Sequence, residues 1–414
     1  MNSELRIACV VQRYGLDVGG GSEELCRAVA ERLANRHTVD VLTTCARDYV
    51  TWRNELPHGA ETLRGVQVRR FRVDAPRSSV EFDRISGRIF AGESADPAEE
   101  ERWMRAQGPY SSSLLDYIKK NAAEYDVFLF FTYLYATTYY GLPLVADRAV
   151  LIPTAHDEPP IYLSLFDRLF HLPQGMLFLT PEERDFVLRR FCLPEECGQV
   201  AGAGLDLEAM EQPTGPLKDE LPELAGRLAG RPYLLYVGRI DESKGCQILI
   251  DWFRMYAAEH PESRLQLVLA GRQAMRVPDH PRIIVPGYLS ETQKRSCIDH
   301  ALAIVAPSPY ESLCISALEG WMRRKPVLAN GNCAVLAGQC QRSGGGLWYR
   351  NVHEFLECLD VLASNSRVRH SLGQSGYEYV RRTYRWEDVE RVYLSVIEGV
   401  ARPREMETAL SADM

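Results

Sequence analysis

Two carboxylates stand eight positions apart in the run Glu311-Ser-Leu-Cys-Ile-Ser-Ala-Leu-Glu319, directly after Pro307-Ser-Pro-Tyr310. Were the whole span helical, they would lie about 12 Å apart along the axis and about 80° apart in rotation. That is wider than the roughly 5 to 9.5 Å between the carboxyl groups of a glycosidase acid pair. Two separate hydrogen-bonding stations are the better reading: one carboxylate for sugar hydroxyls and the other for ribose hydroxyls, with phosphates between them at the positive end of a helix. Upstream, Gly238-Arg239 and then Lys244-Gly245 follow the apolar run Leu234-Leu-Tyr-Val237. Two cations on a loop past a strand's carboxyl end stand where open α/β sheets bind ligands, and they could neutralise a departing diphosphate without a metal. The competing reading is a solvated loop with ordinary surface charges.

Three glycines, Gly19-Gly20-Gly21, precede Ser22 and an amphipathic segment. A glycine turn lets backbone approach a ligand, and the free amides of a helix N-terminus attract phosphate. A structural turn capped by Ser22 explains the same residues. His156, in Thr154-Ala-His-Asp157, follows an apolar run; read alone, such a histidine is a hydrogen-bonded structural residue more often than a catalytic one. Dinucleotide binding is not expected, because its G-x-G-x-x-G fingerprint belongs directly after the first strand with an acidic residue closing the second. Here residues 12–18 intervene, and the second strand runs into Thr43-Thr44-Cys45.

The elements that must position these groups alternate as short apolar strands and helical segments, the pattern of a doubly wound α/β architecture. In the first half strands are expected over 6–11, 38–43, 66–73, 127–131 and 149–153, with a helix over 22–36 marked by Leu25, Val29 and Leu33. Residues 77–112, rich in charge, read as an inserted loop or lid. Proline, glycine and charge between 212 and 232 mark a linker with a short surface helix. A second series follows: strands over 233–237, 265–270, 283–285, 303–306 and 326–329, and helices over 247–259, 291–299 and 316–323. This gives a first Rossmann-like domain over 1–210, a linker over 211–230, a second Rossmann-like domain over 231–385, a terminal helix over 386–402 and a tail over 403–414. Trp386, Val389, Val392 and Val396 form an apolar stripe on that helix, which must dock.

A chain of 414 residues exceeds one ordinary core. Its net charge of −8 argues against broad nucleic-acid contact. The arginines from Arg64 to Arg72, with Arg77, Arg84 and Arg88, are either solvated charges or a site for an anionic acceptor or lipid headgroup, so peripheral membrane contact stays open. The uncharged residues 127–146 read as a buried strand and short helix rather than a membrane span. Eleven cysteines without a C-x-x-C pair suit neither zinc nor a disulfide framework. Reduced thiols and the absence of a signal-peptide pattern point to a cytoplasmic protein, and with Arg239 and Lys244 to neutralise a diphosphate the reading requires no metal and no cofactor.

Taken together, these motifs resemble those of the large family-4 class of retaining glycosyltransferases with the GT-B fold, in which two Rossmann-like domains face each other across a cleft. The E-x7-E motif looks like Glu311 to Glu319, the donor loop like Gly238-Arg239 with Lys244-Gly245, and the N-terminal glycine loop like Gly20-Gly21-Ser22-Glu23. Ser308, Pro326-Val327, Gly287-Tyr288-Leu289 and Gly204-Leu-Asp206 are further matches, so the likeness runs from residue 6 to about 400. It implies a hexose-type sugar moved from a UDP or GDP sugar to an acceptor the motifs do not identify. Arg239 and Lys244 would bind the pyrophosphate and Glu319 the ribose. Glu311 would hold the hexose with the amides of Leu313, Cys314 and Ile315. Gly20 and Gly21 would face the donor phosphates and acceptor, Tyr288 and Leu289 would line the donor site, and His156 would lie beside the donor sugar. Ser312, Leu313 and Cys314 replace residues that are often glycines and an aromatic, and Arg324 stands where a glycine is usual. A sugar-nucleotide epimerase, a glycosyl phosphorylase or a non-catalytic sugar-binding scaffold are the alternative readings. The number of subunits has no signature in the sequence.

Overall fold

The computed structural model describes residues 4–92 and 96–401, so the tail expected over 403–414 and Arg402 lie outside the described residues. The chain divides into two compact units, Met1–Gly204 with Glu387–Met414, and Leu205–Trp386.

The first unit is built on eight strands, β1 (Arg6–Val10), β2 (Thr38–Thr44), β3 (Gly59–Leu63), β4 (Val66–Phe71), β5 (Val127–Phe131), β6 (Ala149–Ile152), β7 (Gly175–Phe178) and β8 (Gly198–Val200). Their order is β3-β4-β2-β1-β5-β6-β7-β8. Only β3 runs antiparallel to its neighbour, β4. Every residue of β5 is buried. A parallel strand covered on both faces reads as an unbroken apolar run, which is why residues 127–131 look like the start of a membrane span. The remainder of that stretch is the helix Ala136–Gly141 and the short helical turn Leu142–Arg148. Among the described residues no helix is long and apolar enough to cross a membrane.

Residues 77–112 are not a loop or lid. They hold the helices Ser79–Phe90 and Pro97–Gln107, capped by the side chains of Ser78 and Asp96. Ile85, Ile89, Trp103 and Met104 are buried in the first unit's main core. Many of the charges that suggested a loop are exposed on these amphipathic helices, while Glu99 and Glu100 are buried, the first paired with Arg88 and the second accepting from the Ser164 hydroxyl. Of the arginines between Arg64 and Arg88, several are engaged: Arg70 is buried, pairs with Glu61 and donates to the Tyr14 carbonyl, Arg69 pairs with Asp40 at 3.6 Å, and Arg88 with Glu99 at 3.0 Å.

The helix Trp386–Ala401 contributes to the first unit from Glu387 onward. Its buried apolar face is Val389, Tyr393, Ile397 and Val400, so of the expected stripe Val389 is buried, Val392 and Val396 give way to Tyr393 and Ile397 one position on, and Trp386 is partly exposed. Arg32 meets Glu390 at 2.7 Å.

The second unit carries β9 (Tyr233–Val237), β10 (Gln266–Ala270), β11 (Ile283–Gly287), β12 (Ala303–Ala306), β13 (Val327–Asn330) and β14 (Gly346–Tyr349), in the order β11-β10-β9-β12-β13-β14. All its pairings are parallel. The order reverses between β9 and β12, which opens a crevice at the carboxyl ends of those two strands. Residues 211–230 are more structured than a linker. The helices Leu217–Glu220 and Pro222–Leu228 bury Leu217, Leu224 and Leu228, and Gln293 donates to the Glu220 carbonyl. The helix Leu207–Glu211, placed with the first domain by the sequence, belongs to the second unit: Arg323 donates to the Met210 carbonyl at 2.7 Å, and Tyr377 to Glu211 at 2.5 Å.

Candidate functional site

In the second unit the chain leaves β9 through Gly238 and Arg239 and turns at Asp241 into the helix Cys246–Glu259. The Asp241 carboxylate accepts from the Ser243 hydroxyl at 2.8 Å and the Lys244 amide at 2.9 Å, and it also pairs with Arg239. Burial pushes the Asp241 carboxyl up, but its bonds from Ser243 and Arg239 more than offset this and hold it below the usual range. Gly245 fixes the end of the turn. Its φ of 73° is left-handed, and a Cβ there would overlap the Pro307 carbonyl oxygen that follows β12. This close approach joins the two loops that flank the crevice. Gly245→Ala combines a strained φ with displaced backbone, for an expected loss of about 2 to 4 kcal/mol. A fall in the urea midpoint checks this; an unchanged midpoint contradicts the packing described.

Across that contact Lys244 Nζ donates to Glu311 Oε1 at 2.7 Å, both side chains being half-buried or better. Burial opposes the ammonium, yet the charge of Glu311 and its hydrogen bond prevail and raise Lys244 above its ordinary value. The ammonium has three donors, of which Glu311 takes one. Leu313 and Cys314 are buried, and with Ile315 they form the entry to the helix Ile315–Met322, presenting first-turn amides that a helix leaves without intrahelical partners. Burial, helped by Glu311, pushes the Cys314 thiol up to about 12, so it stays neutral.

Glu319, on that helix, accepts from Lys294 Nζ at 2.6 Å, and Lys294 also meets Glu291 at 3.0 Å. Burial lowers Lys294, but the two carboxylates raise it well above its ordinary value. Glu319 lines a cavity of about 300 Å³ together with Met210, Ile298 and Arg323. Tyr288, at the end of β11, is exposed, whereas Leu289 is buried. The structure therefore brings Arg239, Lys244 and Glu311 to adjoining loops at the sheet's reversal, while Glu319 is held by Lys294, a partner the sequence reading missed.

In the first unit Gly20 precedes the helix Gly21–Leu33, which begins at Gly21 and has no side-chain cap, so Ser22 does not cap it. Ser22 instead donates to Glu23 Oε2 at 3.0 Å. Glu23 is buried, bound by Arg13 Nε at 2.8 Å and Gln12 Nε2 at 2.9 Å. At Gly20, φ is 149° and the Glu23 carboxylate fills the space a Cβ would take, while Gly21 has open space beside it. His156 Nδ1 stands 3.3 Å from Glu158 Oε1, which also accepts from Tyr133 Oη at 3.0 Å. The loop before His156 is anchored by buried Glu183, whose oxygens accept from the amides of Ala155 and Leu179, both at 2.7 Å. Glu183 lies in the capping pattern Thr180-Pro-Glu-Glu183, a signal that marks a helix start but not an inward carboxylate. Among the described residues no three His, Cys, Asp or Glu side chains gather as a metal would require.

Two doubly wound sheets, parallel but for β3, with polar loops at the carboxyl edge where the second reverses, define the GT-B class of α/β fold. Residues 231–365 match the family model described as glycosyl transferases group 1. A segment of 170 residues is 32% identical to an alpha-D-kanosaminyltransferase from Streptomyces kanamyceticus, covering 38% of this chain and 42% of that protein. The match thus spans less than half of either chain. Among solved structures, sucrose-phosphate synthase from Thermosynechococcus elongatus has a TM-score of 0.69 at 17% identity, over 99% of this chain and all of the other. HepE from Anabaena, in complex with UDP, has a TM-score of 0.68 at 13% identity, over 96% of this chain and 100% of its own.

Proposed function

We infer that the protein is a retaining glycosyltransferase of the family-4 type that transfers a hexose-type sugar from a nucleotide-diphosphate sugar to an acceptor. What carries this is the contact of Lys244 with Glu311 at the reversal of the second sheet, within the stretch that matches glycosyl transferases group 1. A diphosphate bound there takes up the remaining donors of Lys244 and the guanidinium of Arg239, and the first-turn amides after Glu311 face negative charge. Glu311 and Glu319 accept from sugar and ribose hydroxyls. As the bond from the anomeric carbon to the diphosphate oxygen breaks, that oxygen gains negative charge, which the two cations stabilise. The acceptor hydroxyl bonds to the same carbon from the leaving-group side and passes its proton to the departing phosphate, so configuration is retained and the charges balance. This sequence calls on no cofactor. His156, Gly20 and Gly21 are assigned to substrate contact by their likeness to the family's motifs, and a cytoplasmic setting, where nucleotide sugars are made, fits the reading.

The test is thermal stabilisation by a panel of nucleotide sugars, beginning with UDP-glucose because the HepE structures hold UDP and UDP-glucose. A donor at about a hundred times its Kd stabilises by about 2.7 kcal/mol. One member is expected to raise the melting midpoint of the native protein but not of Glu319→Ala. No response to any member overturns the assignment.

A further inference from the structure

The other end of the second sheet carries a charged hollow that the donor reading does not use. Pro232, Leu302 and Pro326 immediately precede β9, β12 and β13, and all three line a cavity of about 380 Å³. It therefore opens at the amino ends of strands whose carboxyl ends carry Arg239, Lys244 and Glu311. Strands of four or five residues separate the two ends by roughly 13 to 17 Å. The remaining lining includes His300, Arg324, Lys325, Arg369 and His370, and no carboxylate.

Cations at the end of the helix Ile315–Met322 complement its dipole, and that accounts for Arg323, which pairs with Asp299. Arg369 and His370 come to the same hollow from a different helix, Ser366–Thr383, where one nitrogen of Arg369, Nη1, donates to the Leu362 and Ala363 carbonyls at the end of the helix Val352–Ser364. The first residue of that helix, Ser366, also lines the cavity, with the amide end of an 18-residue helix behind it. Lys325 Nζ makes no hydrogen bond and no ion pair among the described residues. Burial lowers it, Asp299 opposes that, and Arg323 and Arg369 add to it. Arg324 has a left-handed φ of 53°, a conformation in which a bulky side chain is strained. Its side chain lines the cavity, with the guanidinium 3.8 Å from the Tyr377 ring centroid and its Nε donating to Gln374 Oε1 at 3.2 Å. A concave hollow with several cations and no carboxylate in its lining suits a compact, multiply charged anion.

We propose that this hollow is a second ligand site, separate from the donor loops, which binds the phosphate or diphosphate group of a small soluble molecule through Lys325, Arg324 and Arg369. Inorganic pyrophosphate is the probe, and its affinity is measured by calorimetry and thermal shift on the whole chain. Because pyrophosphate can also reach the donor loops, binding is measured in Lys244→Ala as well. Binding is expected to persist in Lys244→Ala and to weaken about tenfold or more in Lys325→Gln, the effect of losing one charge-assisted bond. Arg324→Gly is the companion variant: glycine accepts the left-handed φ, so folding is retained while one cation is removed and binding weakens. The proposal is overturned if millimolar pyrophosphate gives no response, or if binding vanishes in Lys244→Ala while Lys325→Gln and Arg324→Gly bind as the native protein does. Association with phosphatidylglycerol vesicles that depends on Lys325, without any response to pyrophosphate, also overturns it in favour of a membrane-facing surface.

Discussion

Lys244→Ala is expected to lower turnover of the nucleotide-sugar donor by about 10²- to 10³-fold, the range lost when a single preorganised charge-stabilising donor is removed from an active site. Lys244 is held where it acts by a glycine turn against the Pro307 carbonyl and by a 2.7 Å bond to Glu311. Its ammonium is kept protonated because Glu311 outweighs the cost of its burial. A cation fixed in this way need not reorganise as charge develops on the leaving oxygen, so its removal acts on the transition state more than on bound donor. The fall should appear mainly in kcat, with KM changing far less. Lys244→Arg should recover only part of the loss, since a planar guanidinium does not reproduce a compact ammonium at one oxygen. Initial rates of nucleoside diphosphate release, on variants whose melting midpoints match the native protein, decide the matter. A variant that folds and turns over at the native rate removes Lys244 from the mechanism.

The Lys244 and Glu311 loops were legible in the sequence because each follows an apolar run that became β9 or β12, and loops beyond strand ends are where open sheets gather ligands. Their mutual contact was not legible, because it depends on the strand order: β9 and β12 are sequence-distant yet adjacent. The same holds for Lys294 on Glu319, 25 residues apart in the chain, and for Glu183 on Ala155, 28 apart. Local pattern fixes neither pairing. β3, exposed from Gly59 to Thr62, offers no apolar run and was not expected as a strand; β7, β8 and β14 were missed for a different reason. Each opens on a glycine, Gly175, Gly198 or Gly346, which reads as a turn. In the structure a Cβ at these positions would crowd Val396, Phe178 and the Val327 carbonyl respectively, so the glycines mark close packing within strands. The helices over 79–107 were obscured by their charged outer faces. The terminal helix is amphipathic as expected, but with Val389, Val392, Val396, Ile397 and Val400 all available the periodicity admits more than one phase.

Glu183 should give the fold a pH dependence between about pH 4.5 and 7. It is buried beneath the loop that carries His156, and burial raises its carboxyl from 4.5 to about 7, with the amides of Leu179 and Ala155 and the nearby His156 opposing. The folded state thus holds a proton that the unfolded chain releases near 4.5, so the folded state binds more protons throughout that window. Its contribution to stability is complete below about pH 4.5 and is lost as pH rises through about 7. The shift of 7 − 4.5 = 2.5 units corresponds to a change on the order of 3 kcal/mol. Glu183→Gln does not titrate, and it turns a donor toward one of the two amides that now meet carboxylate oxygens at 2.7 Å, which costs about 1 to 3 kcal/mol. The variant should therefore be less stable than the native protein near pH 5, and the gap between their urea midpoints should narrow toward about pH 8 as the native carboxyl ionises. Because only Glu183 differs, the narrowing isolates its titration from every other group. Parallel stability curves for the two proteins across this range would show that the buried carboxyl is already ionised at pH 5, held so by its amides rather than protonated by its surroundings.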